Sequence, residues 1–266
     1  MLNEGCYVMA KESAAKPFYS VLVLAFFCSL MVAGAAVGLR PMQEQNKLQD
    51  QKKNILLAAG LFDSSSSIDM LFENIETRIV ELESGTFVSP DVVSPEDYNQ
   101  LKAAMSGDLG KALTSEEDIA GIRRVEKYSY VYLAKKGDTI SQIIVPVRGK
   151  GLWSTMLGYL AVDADLTTIN GMSFYQHGET PGLGGEIENP RWLEKWRGKK
   201  LFDENLNEIL LIGKKKGQIE EEYHIDGLSG ATLTTNGVDD LMTFWFGSEG
   251  FKPFFTQLRK KGGLNG

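Results

Sequence analysis

The chain is poor in the residues that build thiol and metal chemistry. It has two cysteines, Cys6 and Cys28, and two histidines, His177 and His224. No cysteine follows residue 28, so the long C-terminal part has no disulfide and no cysteine-ligated metal or iron–sulfur cluster. Two histidines are too few for a His-rich metal site. An excess of basic charge is missing as well. The chain has 28 lysines and arginines against 35 aspartates and glutamates, a net charge of -7. No basic stripe with interleaved aromatics occurs, so a nucleic-acid role has no electrostatic support. No internal repeat is visible.

What is present first is a long run without charge. Pro17 to Leu39, PFYSVLVLAFFCSLMVAGAAVGL, lies between Lys16 and Arg40. Its roughly 23 positions are enough to span a bilayer as a helix. A cleaved signal peptide is the alternative, and Ala33-Gly34-Ala35 resembles a cleavage site. The run, however, exceeds the ~7–15 apolar residues of a signal peptide. The expectation is a retained transmembrane helix over 17–39 behind a polar tail over 1–16. The span has no ionisable residue that could carry an ion. Cys28 reads there as a small apolar side chain. Charge does not fix the orientation. Lys11 and Lys16 precede the span, whereas Arg40, Lys47, Lys52 and Lys53 follow it. A simple count puts the C-terminal side in the cytoplasm, but long domains translocate largely regardless of such charges.

Beyond the span, residues 40–60 read as a helical linker that Pro41 can kink. Ser64 to Ser67 is a loop, and Ile68 to Leu82 a helix followed by a short strand. Ser94 can cap and Pro95 open a helix through Ala104. YSYVYLAKK and TISQIIVPVRG alternate as strands around Gly137-Asp138, a turn signal. YLAVDADL, INGMSFYQ and NEILLIGKK read as further strands. Pro190 to Trp196, Val238 to Phe246 and Phe251 to Leu258 read as helices. Consecutive strands with helices at the ends predict an α+β domain over 61–266, a largely antiparallel sheet flanked by helices.

Three glycine-rich stretches carry the candidate chemistry. DGLSGATLTTNG, Asp226 to Gly237, gathers Ser229, Thr232, Thr234 and Thr235 before a helix. Asn236 with Asp239 makes a loose capping box, so one reading is a helix N-terminus whose hydroxyls satisfy free N–H groups. The other is an anion site: free N–H donors and the positive end of the helix dipole would stabilise a phosphate esterified to a threonine. Gly230 and Ala231 would leave that threonine accessible, and Asp226 could bind a metal or accept its proton. HGETPGLGGEI, His177 to Ile187, is a turn by its Pro181-Gly182. It lacks the spacing of a dinucleotide fingerprint. Its glycines would also let a flat ligand approach the backbone, with Glu179 and Thr180 bonding a polar ring edge. RGKGLWS, Arg148 to Ser154, is either a turn with a core tryptophan or a second wall for such a ligand. Lys214, Lys215 and Lys216 read as a solvated turn, or as a lysine near a flavin that favours its anionic reduced states. His177 reads as structural, and Trp192 and Trp196 as one packing face.

DGLSGAT resembles the acceptor motif of flavin transferases, an acidic residue followed by a Ser/Thr-Gly-Ala-Thr core. The resemblance implies FMN joined through its phosphate to Thr232, with Ser229, Gly230 and Ala231 filling the core and Asp226 as its acidic residue. It implies a flavin transferase that takes FMN from FAD with magnesium. Thr234 and Thr235 then fall to helix capping. ETPGLG resembles the segment that lines the isoalloxazine in FMN-binding domains of redox-driven ion pumps, which implies contacts from Glu179, Thr180, Leu183 and Gly184. Leu152 and Trp153 match a Gly-Leu-Trp segment near that flavin.

Together the motifs, with a core over 148–246, and the anchor are similar to the C-subunit family of Na+-translocating NADH:quinone oxidoreductases. The G-subunit of the Rnf complex shares the anchor and motifs but is shorter in the region matching Asn46–Ile122. The resemblance implies an electron carrier in a bacterial inner-membrane complex that reduces ubiquinone and drives Na+ outward. It implies a C-terminal domain on the periplasmic side, an iron–sulfur-containing membrane pair of partner subunits and a second FMN-carrying subunit. A membrane-anchored binding or assembly module without redox activity is the competing class. Flavin fluorescence in a denaturing gel discriminates the two.

Overall fold

The computed structural model describes residues 15–213 and 219–264. Most of the expected N-terminal tail, with Cys6, and the lysines Lys214, Lys215 and Lys216 lie outside the described residues. Contacts divide the chain into two units with the boundary between Leu48 and Gln49. Helix α1, Ala15–Ala58, begins in the first unit and continues through Pro41. Along 17–39 every residue is exposed, including Phe18, Val21, Leu24, Phe26 and Leu30. A helix satisfies its own backbone, and one that is apolar all round and unburied has the composition of a bilayer span.

The second unit contains the rest. Its elements are α2 (Ile68–Phe72), β1 (Ile75–Glu81), β2 (Thr86–Val88), α3 (Gln100–Met105), β3 (Gly110–Ala112), β4 (Arg124–Glu126), β5 (Tyr128–Lys136), β6 (Thr139–Lys150), β7 (Thr155–Asp163), β8 (Ile169–Gln176), α4 (Pro190–Leu193), β9 (Leu211–Ile212), β10 (His224–Ile225), α5 (Thr232–Trp245) and α6 (Lys252–Lys260). Six strands form one sheet in the order β2-β1-β5-β6-β7-β8, with every neighbour antiparallel. The expected α+β class with a largely antiparallel sheet is therefore what the chain adopts.

Period-two alternation explains why both faces are covered. Val131, Leu133, Val145 and Val147 point into a core shared with Leu241, Trp245 and Phe255. Tyr132, Ala134, Ile144 and Tyr159 point the other way, onto Ile55, Leu56 and Ala59. Residues 49–59 thus belong to the domain, and the expected boundary at 60/61 falls too late. The last turns of α1 carry an apolar face that the sheet needs.

Three local expectations are corrected. Ser94 to Tyr98 forms one turn, closed by Tyr98 N–H to Ser94 O, and the helix starts only at Gln100, capped by Asn99. The Tyr130 hydroxyl takes the carbonyls of Pro95 and Tyr98, which a continuing helix would need. Among the described residues of the strand expected at NEILLIGKK, only Leu211–Ile212 forms one, pairing parallel to β10. The helix expected from Val238 starts at Thr232 instead.

Beside β9, the Glu208 carboxyl is pushed up to about 8, first by burial and then by the charge of Asp239. Its Oε1 is buried without a hydrogen-bond partner. The folded value lies above the ordinary 4.5, so the fold favours the protonated form. The stability it contributes is complete below pH 4.5 and is lost as pH rises toward 8, at about 1.4 kcal/mol per unit. Glu208→Gln is expected to match the wild type near pH 4 and to be the more stable protein at pH 8, measured by urea unfolding at both.

Candidate functional site

The site is assembled from three loops at one end of the sheet. The first is the tight connection between β6 and β7, closed by Gly151 N–H to Ser154 O at 2.8 Å. It lifts Leu152 and Trp153 outward, and Trp153 is 66% exposed. The reading of Trp153 as a core residue is therefore excluded. The second loop follows β8, where Thr180 O accepts from Leu183 N at 3.1 Å and from Gly185 N at 2.9 Å. The third leads into α5. Gly230 takes φ +74°, a conformation open to glycine, and the helix begins two residues later.

The hydroxyl cluster divides by task. Thr234 and Thr235 do not cap α5, since both already lie in its first turn. Buried Thr234 donates to Glu179 Oε2 at 2.7 Å, and buried Thr235 accepts from Leu228 N at 3.0 Å. They staple the helix start to the two neighbouring loops. No side chain caps the helix, and the amides of Thr232, Leu233 and Thr234 have no acceptor among the described residues. Thr232 is exposed and lines a cleft of about 240 Å3.

The lining gathers most of the residues expected from sequence: Leu152 and Trp153; Glu179, Thr180, Leu183 and Gly184; Gly230, Ala231 and Thr232. Ser229 and Asp226 are not part of it. Asp226 is exposed, with Oδ2 3.1 Å from Lys195 Nζ and its carbonyl accepting from Trp192 Nε1 at 2.8 Å. Leu233 and Thr234 line the cleft and were not anticipated. An earlier helix start, signalled by Gly230, would have placed Leu233 beside Thr232. Nothing local reveals the partner of Thr234. Trp192 and Trp196 pack edge to face at 5.4 Å, both buried, as a structural pair. His177 is structural too: its Nδ1 accepts from Glu179 N at 3.1 Å.

Glu179 departs from its expected role. It is 5% exposed, and its carboxylate accepts from Leu152 N at 3.2 Å, Trp153 N at 2.9 Å, Ser154 N at 3.2 Å and the Thr234 hydroxyl. Those bonds leave it no free edge for a ligand. Burial alone would push its carboxyl up. The Thr234 hydroxyl and the three N–H groups outweigh burial and hold it below the usual carboxylate range. The folded value lies under the ordinary 4.5, so its contribution to stability is present above that pH and lost as pH falls through the lowered value. A melting temperature followed from pH 6 to pH 3 is expected to drop more steeply in the wild type than in Glu179→Gln.

The donor set fits the phosphate and ring of FMN. Unspent amides at the start of α5 suit a phosphate beside Thr232, while Leu152, Trp153, Leu183 and Leu233 are exposed apolar groups that suit a flat ring. Comparison with known proteins supports an FMN-binding domain. The family model for the FMN-binding domain matches residues 151–246. The chain is 44% identical to the C-subunit of the Na+-translocating NADH-quinone reductase of Pseudomonas aeruginosa, over 94% of this chain and 98% of that one. It is 43% identical to the protein of the same name from Vibrio anguillarum, over 96% and 98%. The crystal structure of Shewanella oneidensis NqrC superposes with a TM-score of 0.72 at 34% identity, covering 81% of this chain and 99% of that one. That of the C-subunit from Parabacteroides distasonis gives 0.63 at 30% identity, covering 82% and 97%. With identities of this size over nearly the whole length of both partners, the chain belongs to the C-subunit family of the Na+-translocating NADH-quinone reductase.

Proposed function

We propose that the chain is an electron-carrier subunit of a sodium-pumping NADH:ubiquinone reductase, and that it carries FMN as a phosphoester on Thr232. One observation carries the choice of residue: among the threonines of the cluster near the cleft, Thr232 alone is exposed and lines it, while Thr234 and Thr235 are buried and hydrogen-bonded.

The uncapped start of α5 would hold the phosphate, with backbone N–H groups and dipole both favouring negative charge there. Leu152, Trp153, Leu183 and Leu233 would hold the ring and exclude water from part of it. The bound flavin supplies reversible electron transfer; the chain supplies position and surroundings. No acid or base is needed, which suits a cleft whose buried carboxylate is occupied by hydrogen bonds.

Membership of the family supports the following placement as part of the proposal. The domain lies on the periplasmic side of a bacterial inner membrane, anchored by residues 17–39 as a single pass. Its partners are an iron–sulfur-containing membrane pair and a second FMN-carrying subunit. A flavin transferase, using FAD and magnesium, loads Thr232 during maturation and reads the Asp226 motif. The long stretch between the apolar run and the motif core at 148–246 and the near-complete match to the quinone-reductase relatives favour this complex over an Rnf-type one.

Peptide mass mapping of Asp226 to Asn236 tests the assignment on protein produced with the transferase. An FMN increment localised to Thr232 is expected. An increment on Ser229, Thr234 or Thr235, or none, sinks it.

A further inference from the structure

The four bonds to the Glu179 carboxylate come from two parts of the chain that are far apart in sequence. Oε1 takes the amides of Trp153 and Ser154, and Oε2 takes the amide of Leu152 and the Thr234 hydroxyl. A carboxylate has about four acceptor directions, and these bonds use them. The space is shaped around the group. A Cβ on Gly151 would come within 2.5 Å of Oε1, and one on Gly184 within 3.0 Å of Oε2 and 2.4 Å of the Thr234 hydroxyl. Side chains at those positions would displace the carboxylate. The glycines therefore serve it, rather than opening the backbone to a ligand.

We propose that Glu179 is the positioning residue of the flavin site. It holds the hairpin tip bearing Leu152 and Trp153 and the helix turn bearing Thr232 in one frame. The apolar wall and the tether then meet the ring in a single geometry. Glu179 does not touch the ring; it acts through three amides and Thr234. The inference rests on the reading that Thr232 carries the flavin. Charge is essential to it. A carboxylate presents only acceptors, whereas a glutamine would turn its NH2 toward amides that are themselves donors.

The test uses the full chain produced with the flavin transferase, as wild type, Glu179→Gln, Thr234→Val and Thr234→Ser. Mass mapping reports loading at Thr232. Visible circular dichroism of the flavin reports its geometry, and amide hydrogen exchange reports the hairpin tip. In Glu179→Gln, exchange at Leu152, Trp153 and Ser154 is expected to quicken by about tenfold or more, as for loss of charge-assisted bonds. The loaded fraction should lose most of its visible dichroism. Thr234→Val, which leaves the amide bonds in place, should lose part of the dichroism, and Thr234→Ser, which keeps the hydroxyl, should retain it. If Glu179→Gln does not fold, the Val and Ser pair decides. Loaded variants with wild-type dichroism overturn the positioning role and leave Thr232 as the carrier. A wild type unloaded at Thr232 overturns both, and the mass spectrum separates that result from the first.

Discussion

Thr232→Ala is expected to abolish flavin fluorescence in a denaturing gel, while Thr234→Ala, Thr235→Ala and Ser229→Ala each keep a fluorescent band. The reason is access combined with chemistry. A modifying enzyme needs an exposed hydroxyl next to groups that stabilise the product's phosphate. Thr234 and Thr235 are 1% and 3% exposed, and their oxygens are already hydrogen-bonded. Ser229 is exposed but lies outside the cleft lining. Thr232 is exposed, opens α5 and faces the uncapped amides. Denaturation removes any flavin held only by contacts, so the band reports the covalent bond alone. A bright Thr232→Ala band would end the assignment. A dark wild-type band with the transferase present would end the carrier reading and leave the non-redox module.

Glu126→Ala is expected to destabilise the domain by about 3–5 kcal/mol, the cost of leaving one member of a buried ion pair alone. Glu126 Oε2 and Arg148 Nη2 are 2.5 Å apart, and the glutamate side chain is fully buried. Gln100 donates to the other oxygen, so the carboxylate is bonded on both. The arginine lies against Trp245, 5.1 Å from the ring, and Trp245 Nε1 donates to the Arg148 carbonyl at 2.7 Å. Removing Glu126 thus leaves a buried charge at the contact between β6 and α5, the helix that opens the site. The double change Glu126→Leu with Arg148→Met should recover much of the loss, because a buried pair replaced by apolar groups of similar volume is often neutral. Urea denaturation of the three proteins measures this. A single variant within about 1 kcal/mol of wild type would show that the pair is solvated.

Much of this was legible along the chain because the signals are local. β5 and β8 begin and end where alternation and turn residues place them, and the uncharged run at 17–39 forms helix throughout. Three short motifs name residues that the fold brings to one cleft, while Asp226 and Ser229 of the third lie outside its lining. What could not be read depends on partners distant in sequence. The helix expected from Pro95 fails because Tyr130 takes its carbonyls. The roles of Thr234 and Glu179 were misread because each is the other's partner across 55 positions. The end of α1 joins the domain because the sheet's second face needs a cover, a demand invisible within 49–59 itself.

The order of the sheet also bears on how the domain forms. β5 to β8 are consecutive in sequence and adjacent in space, so each pairing closes a short loop at little entropic cost. β1 instead pairs with β5 across the whole stretch that contains α3, β3 and β4. A chain that forms its local pairings first would therefore complete β6, with Gly151 and the hairpin tip beside it, before β1 joins on the far side of β5. On that sequence of events the hairpin tip bearing Leu152 and Trp153 is structured early, and the sheet edge formed by β1 and β2 is structured last.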